Sequence, residues 1–197
     1  MKINQNISLV GSLVSLVPYK KIHVPKYNQF MQSAELQKLT ASEPLTLQDE
    51  YEMQESWAED EDKCTFIVLD SAKHKESQDE VASMIGDTNL YIIEKDLKEK
   101  TAEAAVMIAD PNYRSKGFGW EAMLLMLVYG IDALGIKKYI VKISTSNSVS
   151  IRFFTKMRFT EESKSEVFQE VTMVRPVDLD WKQWLQNEIK DYRIVPS

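Results

Sequence analysis

Cysteine and histidine are nearly missing from this chain. Cys64 is the one cysteine in 197 residues, so no disulfide can close within the chain and a reducing compartment is its natural setting. Because it sits in the apolar run Cys64–Leu69, it reads as a buried strand residue rather than a nucleophile. The two histidines, His23 and His74, lie far apart, and no Cys/His cluster has metal-ligand spacing. That argues against a zinc site and against a Ser-His-Asp triad, so no metal is expected. Positive charge is short as well: 24 Lys and Arg against 30 Asp and Glu leave a net charge of −6. Sequence-independent nucleic-acid binding needs a basic footprint, so it is not expected here. Long apolar runs are also missing. The longest strongly apolar segment, Ala122–Ile131, is too short to cross a bilayer, and the first residues lack the apolar core of a signal peptide. The expectation is a cytoplasmic protein with no membrane partner. No internal repeat, low-complexity tract or linker interrupts it, so residues 1–197 are read as a single domain, long enough for a substantial core.

What is present centres on Thr101–Leu134. Ala104–Ala109 reads as a strand, and Asp110-Pro111-Asn112 breaks it, since proline has no ladder donor and Asn and Asp favour turns. After Arg114-Ser115-Lys116-Gly117-Phe118-Gly119 comes a helix with Trp120, Met123, Leu124, Leu127, Val128, Ile131 and Leu134 on one apolar stripe, stopped by Gly135. A strand, a glycine-containing loop and a helix start make an anion-binding device. First-turn N–H groups have no partners within the helix, and its dipole places partial positive charge there. Gly117 and Gly119 would let phosphate oxygens approach the backbone, with Arg114 and Lys116 as mobile positive charge. The plainer alternative is an ordinary loop with two glycines.

Two nucleotide readings fit poorly. Gly117–Ala122 matches the GxGxxG/A pattern formally. That fingerprint wants an acid about twenty positions later, at the end of the next strand; Lys138–Ile143 contains none, and no second βαβ unit is present. A Walker A loop fails for want of Gly-Lys-Ser/Thr.

A third reading is a resemblance. Arg114–Ala122 resembles the acetyl-CoA pyrophosphate loop of the GNAT acetyltransferases, (Q/R)-x-x-G-x-(G/A). Downstream, Asn147–Phe159 resembles their second cofactor-binding segment, N-x-x-S-I-x-x-x-x-K-x-G-F. Leu39–Thr46, Lys63–Asp70 and Val167–Thr172 are similar to one branch, the N-acetyltransferase 9 proteins, which are tubulin N-acetyltransferases. This similarity covers nearly the whole chain. It implies an α/β GNAT acyl-CoA N-acyltransferase fold: a mixed, mostly antiparallel sheet with a splayed central strand pair and flanking helices, its cofactor-binding core at about residues 101–160. It implies acetyl-CoA as cosubstrate, a protein N-terminal α-amine as acceptor, and tubulin or microtubules as partner. On the same ground Val106, Met107 and Ile108 would bind the pantetheine arm and polarise the thioester through their backbone. Arg114, Ser115, Lys116, Gly117, Phe118, Gly119 and Trp120 would hold the pyrophosphate, and Asn147, Ser150, Ile151, Phe154 and Lys156 would complete the cofactor site.

Two positions depart from the family pattern. Phe154 stands where many members carry a tyrosine that protonates the departing thiolate, and Arg158 stands where glycine is usual. Loss of a general acid can cost roughly 10²–10⁴ in rate, although a thiol with a pKa near 8.5 leaves readily unaided. Glu103 is the first candidate base, with Glu43 and Glu170 as further candidates to bind or deprotonate the amine. An α-amine, with a pKa of about 7.7–8.0, needs less base assistance than lysine at about 10.4. The alternatives are a lysine or small-amine acetyltransferase, and a microtubule-associated protein that keeps the fold after losing catalysis.

Elsewhere, Ser8–Pro18 reads as a strand or hairpin and Ile22–Leu36 as a helix. Thr40–Leu45 reads as a loop, followed by a helix that starts with a Thr46/Asp49 capping box and runs to about Ala58. Glu59–Asp62 reads as a solvated turn, Ser71–Asp79 as a polar loop, Val81–Ile93 as a strand and Asp96–Lys100 as a charged turn. Ser150–Met157 is a short helix, Phe159 and Val167–Val174 are the last strands, and Trp181, Trp184 and Leu185 mark a final helix capped by Asp178 or Asp180.

Overall fold

The computed structural model describes residues 1–189 and 191–197. The strands are β1 (Ile7–Val10), β2 (Val14–Pro18), β3 (Lys63–Asp70), β4 (Met84–Glu94), β5 (Thr101–Ile108), β6 (Lys138–Ser144), β7 (Thr160–Ser165), β8 (Glu170–Pro176) and β9 (Arg193–Pro196). They form one sheet in the order β7-β8-β6-β5-β4-β3-β2-β1-β9. Every pairing is antiparallel except β5 with β6. That parallel pair needs a crossover, and helix α6 (Phe118–Asp132) supplies it. The remaining helices are α1 (Val24–Met31), α2 (Ala34–Thr40), α3 (Leu47–Glu59), α4 (Ser71–Ser77), α5 (Glu80–Ser83), α7 (Ser148–Lys156) and α8 (Leu179–Glu188).

Each face of the sheet is covered. On one side Leu16, Phe66, Leu90, Ala104 and Val141 pack with α6, α7 and α8. On the other, Val17, Ile67, Leu69 and Met107 pack with Val24, Tyr27 and Met31 of α1. Ala122–Gly130 of α6 is buried without a break, because α6 is held between the sheet and α8. The expected single stripe is therefore too narrow a description: a helix buried all round carries apolar residues all round.

Several boundaries differ from expectation. The helix expected over Ile22–Leu36 breaks at Gln32-Ser33, where Ser33 Oγ accepts from Leu36 N–H and starts α2. The polar stretch after β3 is helical, since Asp70 Oδ1 caps α4 by accepting from Ala72 and Lys73 N–H at 2.9 and 3.2 Å. Val81–Ser83 belongs to α5, so β4 begins only at Met84. Helix α6 begins and ends two residues earlier than expected, with Gly135 left-handed (φ 71°) beyond it. Val167 and Phe168 lie in the turn between β7 and β8, 87% and 81% exposed, and not in a strand. Strand β9, which pairs antiparallel with β1, was not foreseen. The capping box of α3 and the Asp178 cap of α8 form as expected, and Cys64 is fully buried in β3. Among the described residues no helix is long and apolar enough to cross a membrane.

Candidate active site

Strands β5 and β6 pair only through Thr101↔Lys138, Ala102↔Tyr139 and Glu103↔Ile140. Beyond Glu103, β5 stays with β4 and β6 stays with β8, so the two strands diverge and the edge of β5 from Ala104 onward has no strand partner on that side. A cleft of about 780 Å³ opens there. Val106, Met107 and Ile108 form one wall and Ser146–Ser150, Arg152, Phe153 and Lys156 of the β6–α7 segment form another. The loop and first turn of α6 close the end, and Glu35, Leu36, Leu39 and Thr40 of α2 form a rim.

The loop is built to leave helix donors free. Gly117 is the N-cap of α6 with φ 92°, and no side chain caps the helix; only glycine takes that φ without penalty. Across from it, a Cβ on Gly119 would sit 3.2 Å from Ile108 Cγ1, so the helix start lies close against β5. First-turn N–H groups without a side-chain cap, facing a cleft with Lys156 and Arg152 on its far wall, suit an anion such as a pyrophosphate. Arg114 does not supply mobile charge. Its Nε donates to Ile108 O at 2.9 Å, Nη2 to Ala109 O at 3.2 Å, and Nη1 pairs with Glu35 Oε1 at 2.9 Å. It ties the loop to the end of β5 and to α2.

Of the residues expected to hold the cofactor, Val106, Met107, Ile108, Arg114, Ser115, Gly117, Gly119, Trp120, Asn147, Ser150 and Lys156 line the cleft. Lys116 and Phe118 line an adjoining surface hollow with Asp110, Asn112 and Tyr113. Ile151 packs inward. So does Phe154, 4% exposed, its ring set edge-on to Phe153 and Phe159 at 5.0 and 5.3 Å; Phe153 is the ring that reaches the cleft. Asn147 has a local task as well, since its Oδ1 accepts from Ser150 N–H at 3.1 Å and caps α7. Arg158 takes the left-handed conformation that glycine would adopt, at φ 68°, and stacks on Trp184 at 4.5 Å.

The candidate bases are scattered. Glu103 sits at the closed end of the divergence, paired with Lys142 Nζ at 3.1 Å. Glu43 is exposed in the loop after α2, and Glu170 opens β8 opposite Ser144. None of the three lines the cleft. His23 is buried outside the cleft, accepting from Lys20 N–H at Nδ1 and meeting Glu80 through Nε2 at 3.0 Å; burial lowers its pKa.

Two acidic residues not singled out from the sequence carry structure here. Glu121 reaches from the first turn of α6 to the β1–β2 turn, where its carboxylate accepts from Ser12, Leu13 and Val14 N–H at 3.1, 2.6 and 2.8 Å. Asp87 is 3% exposed in β4, receives Asn89 Nδ2, and is pushed up to about 7 by burial. The alternation Asp87-Thr88-Asn89 inside an otherwise apolar strand was the available signal: polar residues two apart share a face.

A strand pair that diverges over an uncapped helix start is the arrangement that the resemblance to the GNAT acetyltransferases implies. Comparison with known proteins agrees. The model of the acetyltransferase (GNAT) domain family matches residues 14–160. The alpha/beta-tubulin-N-acetyltransferase 9 of Drosophila melanogaster is 48% identical over 192 residues, covering 96% of this chain and 96% of its own. The Homo sapiens protein of the same name is 51% identical over 189 residues, covering 94% and 90%. Among solved structures, spermidine N-acetyltransferase from Vibrio cholerae in complex with CoA and spermine superposes with TM-score 0.71 at 18% identity, over 84% of this chain and 96% of that one. The chain belongs to the GNAT acetyltransferase family and, within it, to the N-acetyltransferase 9 group. It is an acetyl-CoA-dependent N-acetyltransferase.

Proposed function

We propose that the protein transfers the acetyl group of acetyl-CoA to the N-terminal α-amine of a protein, with tubulin as the acceptor, in the cytoplasm. The observation that carries the reading is the cleft at the β5–β6 divergence, with an uncapped helix start at one end and exposed apolar residues about its rim. In this reading the first-turn N–H groups of α6 hold the pyrophosphate, and the unpaired edge of β5 at Val106–Ile108 orients the thioester. Leu39, 38% exposed, lines one side. The β7–β8 turn carrying Val167 and Phe168 stands beside the other side, tied to the β6–α7 loop by Thr145 N–H donating to Gln169 O at 2.8 Å. An extended peptide laid between the two would bring its first residue to the thioester. The names of the relatives support tubulin as that peptide's source.

The test is acetyl transfer to synthetic peptides bearing tubulin N-terminal sequences, beside the same peptides with a blocked α-amine and an internal lysine, and beside spermidine. Incorporation confined to the free α-amine is expected, with loss in Gly119→Trp. Transfer to the blocked peptides or to spermidine alone would overturn the acceptor. Undiminished transfer by Gly119→Trp would overturn the pyrophosphate loop.

A further inference from the structure

On the face of the sheet away from α6 lie buried oxygens with no hydrogen-bond partner among the described residues. Tyr19 follows β2, Tyr27 lies on α1, and Glu50 and Gln54 stand one turn apart on α3. Tyr19, Glu50, Gln54 and Asp87 are 3%, 1%, 4% and 3% exposed. Part of their capacity is used: Gln54 Nε2 donates to Tyr19 O at 3.1 Å, Asn28 Nδ2 to Glu50 Oε2 at 3.4 Å, and Asn89 Nδ2 to Asp87 Oδ2. Tyr19 Oη, Glu50 Oε1, Gln54 Oε1 and Asp87 Oδ1 have no hydrogen-bond partner among the described residues. Buried polar atoms are almost always hydrogen-bonded. The charges of Glu50 and Asp87 both act on Tyr19, and that of Glu50 acts on Asp87, so these groups are neighbours; unpartnered oxygens there call for an occupant rich in hydrogens, and water fits.

Tyr19, Glu50, Gln54 and Asp87 do not line the cleft, but Asp87 lies behind its β5 wall. Asp87 pairs across the sheet with Met107, which lines the cleft; residues directly opposite on antiparallel strands have Cα atoms about 4.5–5.5 Å apart. A side chain at Gly86 would run into the Met107 carbonyl, so β4 hugs β5 at this point. Along β4 the same face passes from exposed Tyr91 through half-buried Asn89 to buried Asp87, opposite Glu103, exposed Ala105 and Met107. Thr65 Oγ1 donates to Asn89 Oδ1, fixing the amide so that its Nδ2 points at Asp87.

We propose that Asp87 takes the proton from the acceptor ammonium through water held by Tyr19, Glu50 and Gln54. This rests on the reading of a protein amine as acceptor. The ammonium gives one proton through water to the Asp87 carboxylate, and the freed nitrogen lone pair attacks the thioester carbonyl carbon. The C–S bond breaks, its electron pair leaves with sulfur, and the second amine proton neutralises the thiolate. Glu103 is less suited, being paired with Lys142 and remote from the thioester end of β5. A carboxyl raised to about 7 nearly matches an α-ammonium of about 7.7–8.0, and matched pKa values favour proton transfer. The groups facing Asp87 are Lys63 on β3, whose charge favours the carboxylate, Glu50 on α3, which opposes it, and Tyr19 and Tyr27.

The experiment is steady-state acetylation of an α-amine peptide by the full chain from pH 6 to 9, for wild type, Asp87→Asn, Tyr19→Phe and Glu103→Gln. Acetyl-CoA affinity is measured alongside by calorimetry. For Asp87→Asn a fall in kcat of about 10²-fold or more is expected, with acetyl-CoA affinity unchanged and the acid limb near pH 7 removed. Glu103→Gln should stay within about threefold of wild type. Tyr19→Phe should lose about tenfold in kcat, and it carries the test if Asp87→Asn does not fold. A retained rate and acid limb in Asp87→Asn, or an unaltered kcat in Tyr19→Phe, overturns the proposal. A wild type that binds acetyl-CoA but acetylates no amine overturns the acceptor reading and this assignment with it. An active Asp87→Asn overturns the assignment alone.

Discussion

Replacing Glu121 with alanine should loosen the junction between the helix that faces the cofactor and the edge of the sheet. Its carboxylate accepts three backbone N–H groups from the β1–β2 turn, at 2.6 to 3.1 Å. Hydrogen bonds to a charged group are each worth roughly 1.5–3 kcal/mol. Ser12 and Leu13 are exposed, so water can replace the carboxylate at their N–H groups, whereas Val14 is buried. The net cost should therefore be about one charged bond and a fraction of the others, or about 2–3 kcal/mol. At about 2–4 °C per kcal/mol for a chain of this size, the melting temperature should fall by about 4–12 °C. Gly11 gives an independent probe, because a Cβ there would lie 2.7 Å from Glu121 Oε2. Gly11→Ala should displace the same carboxylate and cost a similar amount. Adding it to Glu121→Ala should cost little more, since the interaction is already gone. Thermal unfolding of the two single variants and the double variant gives the cycle. A loss below about 0.5 kcal/mol for Glu121→Ala, or full additivity of the pair, would refute the reasoning.

Two further variants bear on stability. Phe154→Tyr, which restores the family's usual tyrosine, places a hydroxyl among Phe153 and Phe159 in the core. It should cost about 1–3 kcal/mol in unfolding measurements and leave kcat no higher; a rise in kcat would show that this side chain does reach the thiolate. Asp87 should make the protein less stable as pH rises. Its unfolded carboxyl ionises near 3.8 and its folded one near 7, so the folded state binds more protons between those values. Stability from this group is fullest below about pH 4 and is lost up to about pH 7, by as much as roughly 4 kcal/mol. Urea unfolding at pH 5 and pH 8 should show that decline flattened in Asp87→Asn; identical pH dependence in variant and wild type would sink it.

Much of the site was legible because its demands are local. A glycine at position 117 and a helix stripe beginning at Trp120 announce an uncapped helix start, and the Asp110-Pro111-Asn112 break ends the strand that feeds it. The segment Asn147–Phe159 is placed by its resemblance to the family's second cofactor-binding segment, and the structure adds that Asn147 caps its own helix. What could not be read is set by partners far along the chain. Nothing near Arg114 shows that its guanidinium is committed to Glu35. Strand β9 is only four residues long and needs β1 as template.

Asp87 shows most clearly why such groups are hard to find. A carboxylate in the middle of a nine-stranded sheet violates the local pattern of its strand. The violation can be seen in the residues Gly86-Asp87-Thr88-Asn89, but its sense depends on Tyr19, just after β2, and on Glu50 and Gln54 of α3. A fold that spent stability on those oxygens without need would be improved by apolar substitutes at each position. Four such atoms, one of them on a residue directly opposite cleft-lining Met107, are more simply explained by a task that requires them. Removing the unpartnered hydroxyl alone tells the two apart: Tyr19→Phe should hold or raise the melting temperature while lowering acetyl transfer, whereas in a purely structural nest it would lower the melting temperature and leave transfer unchanged.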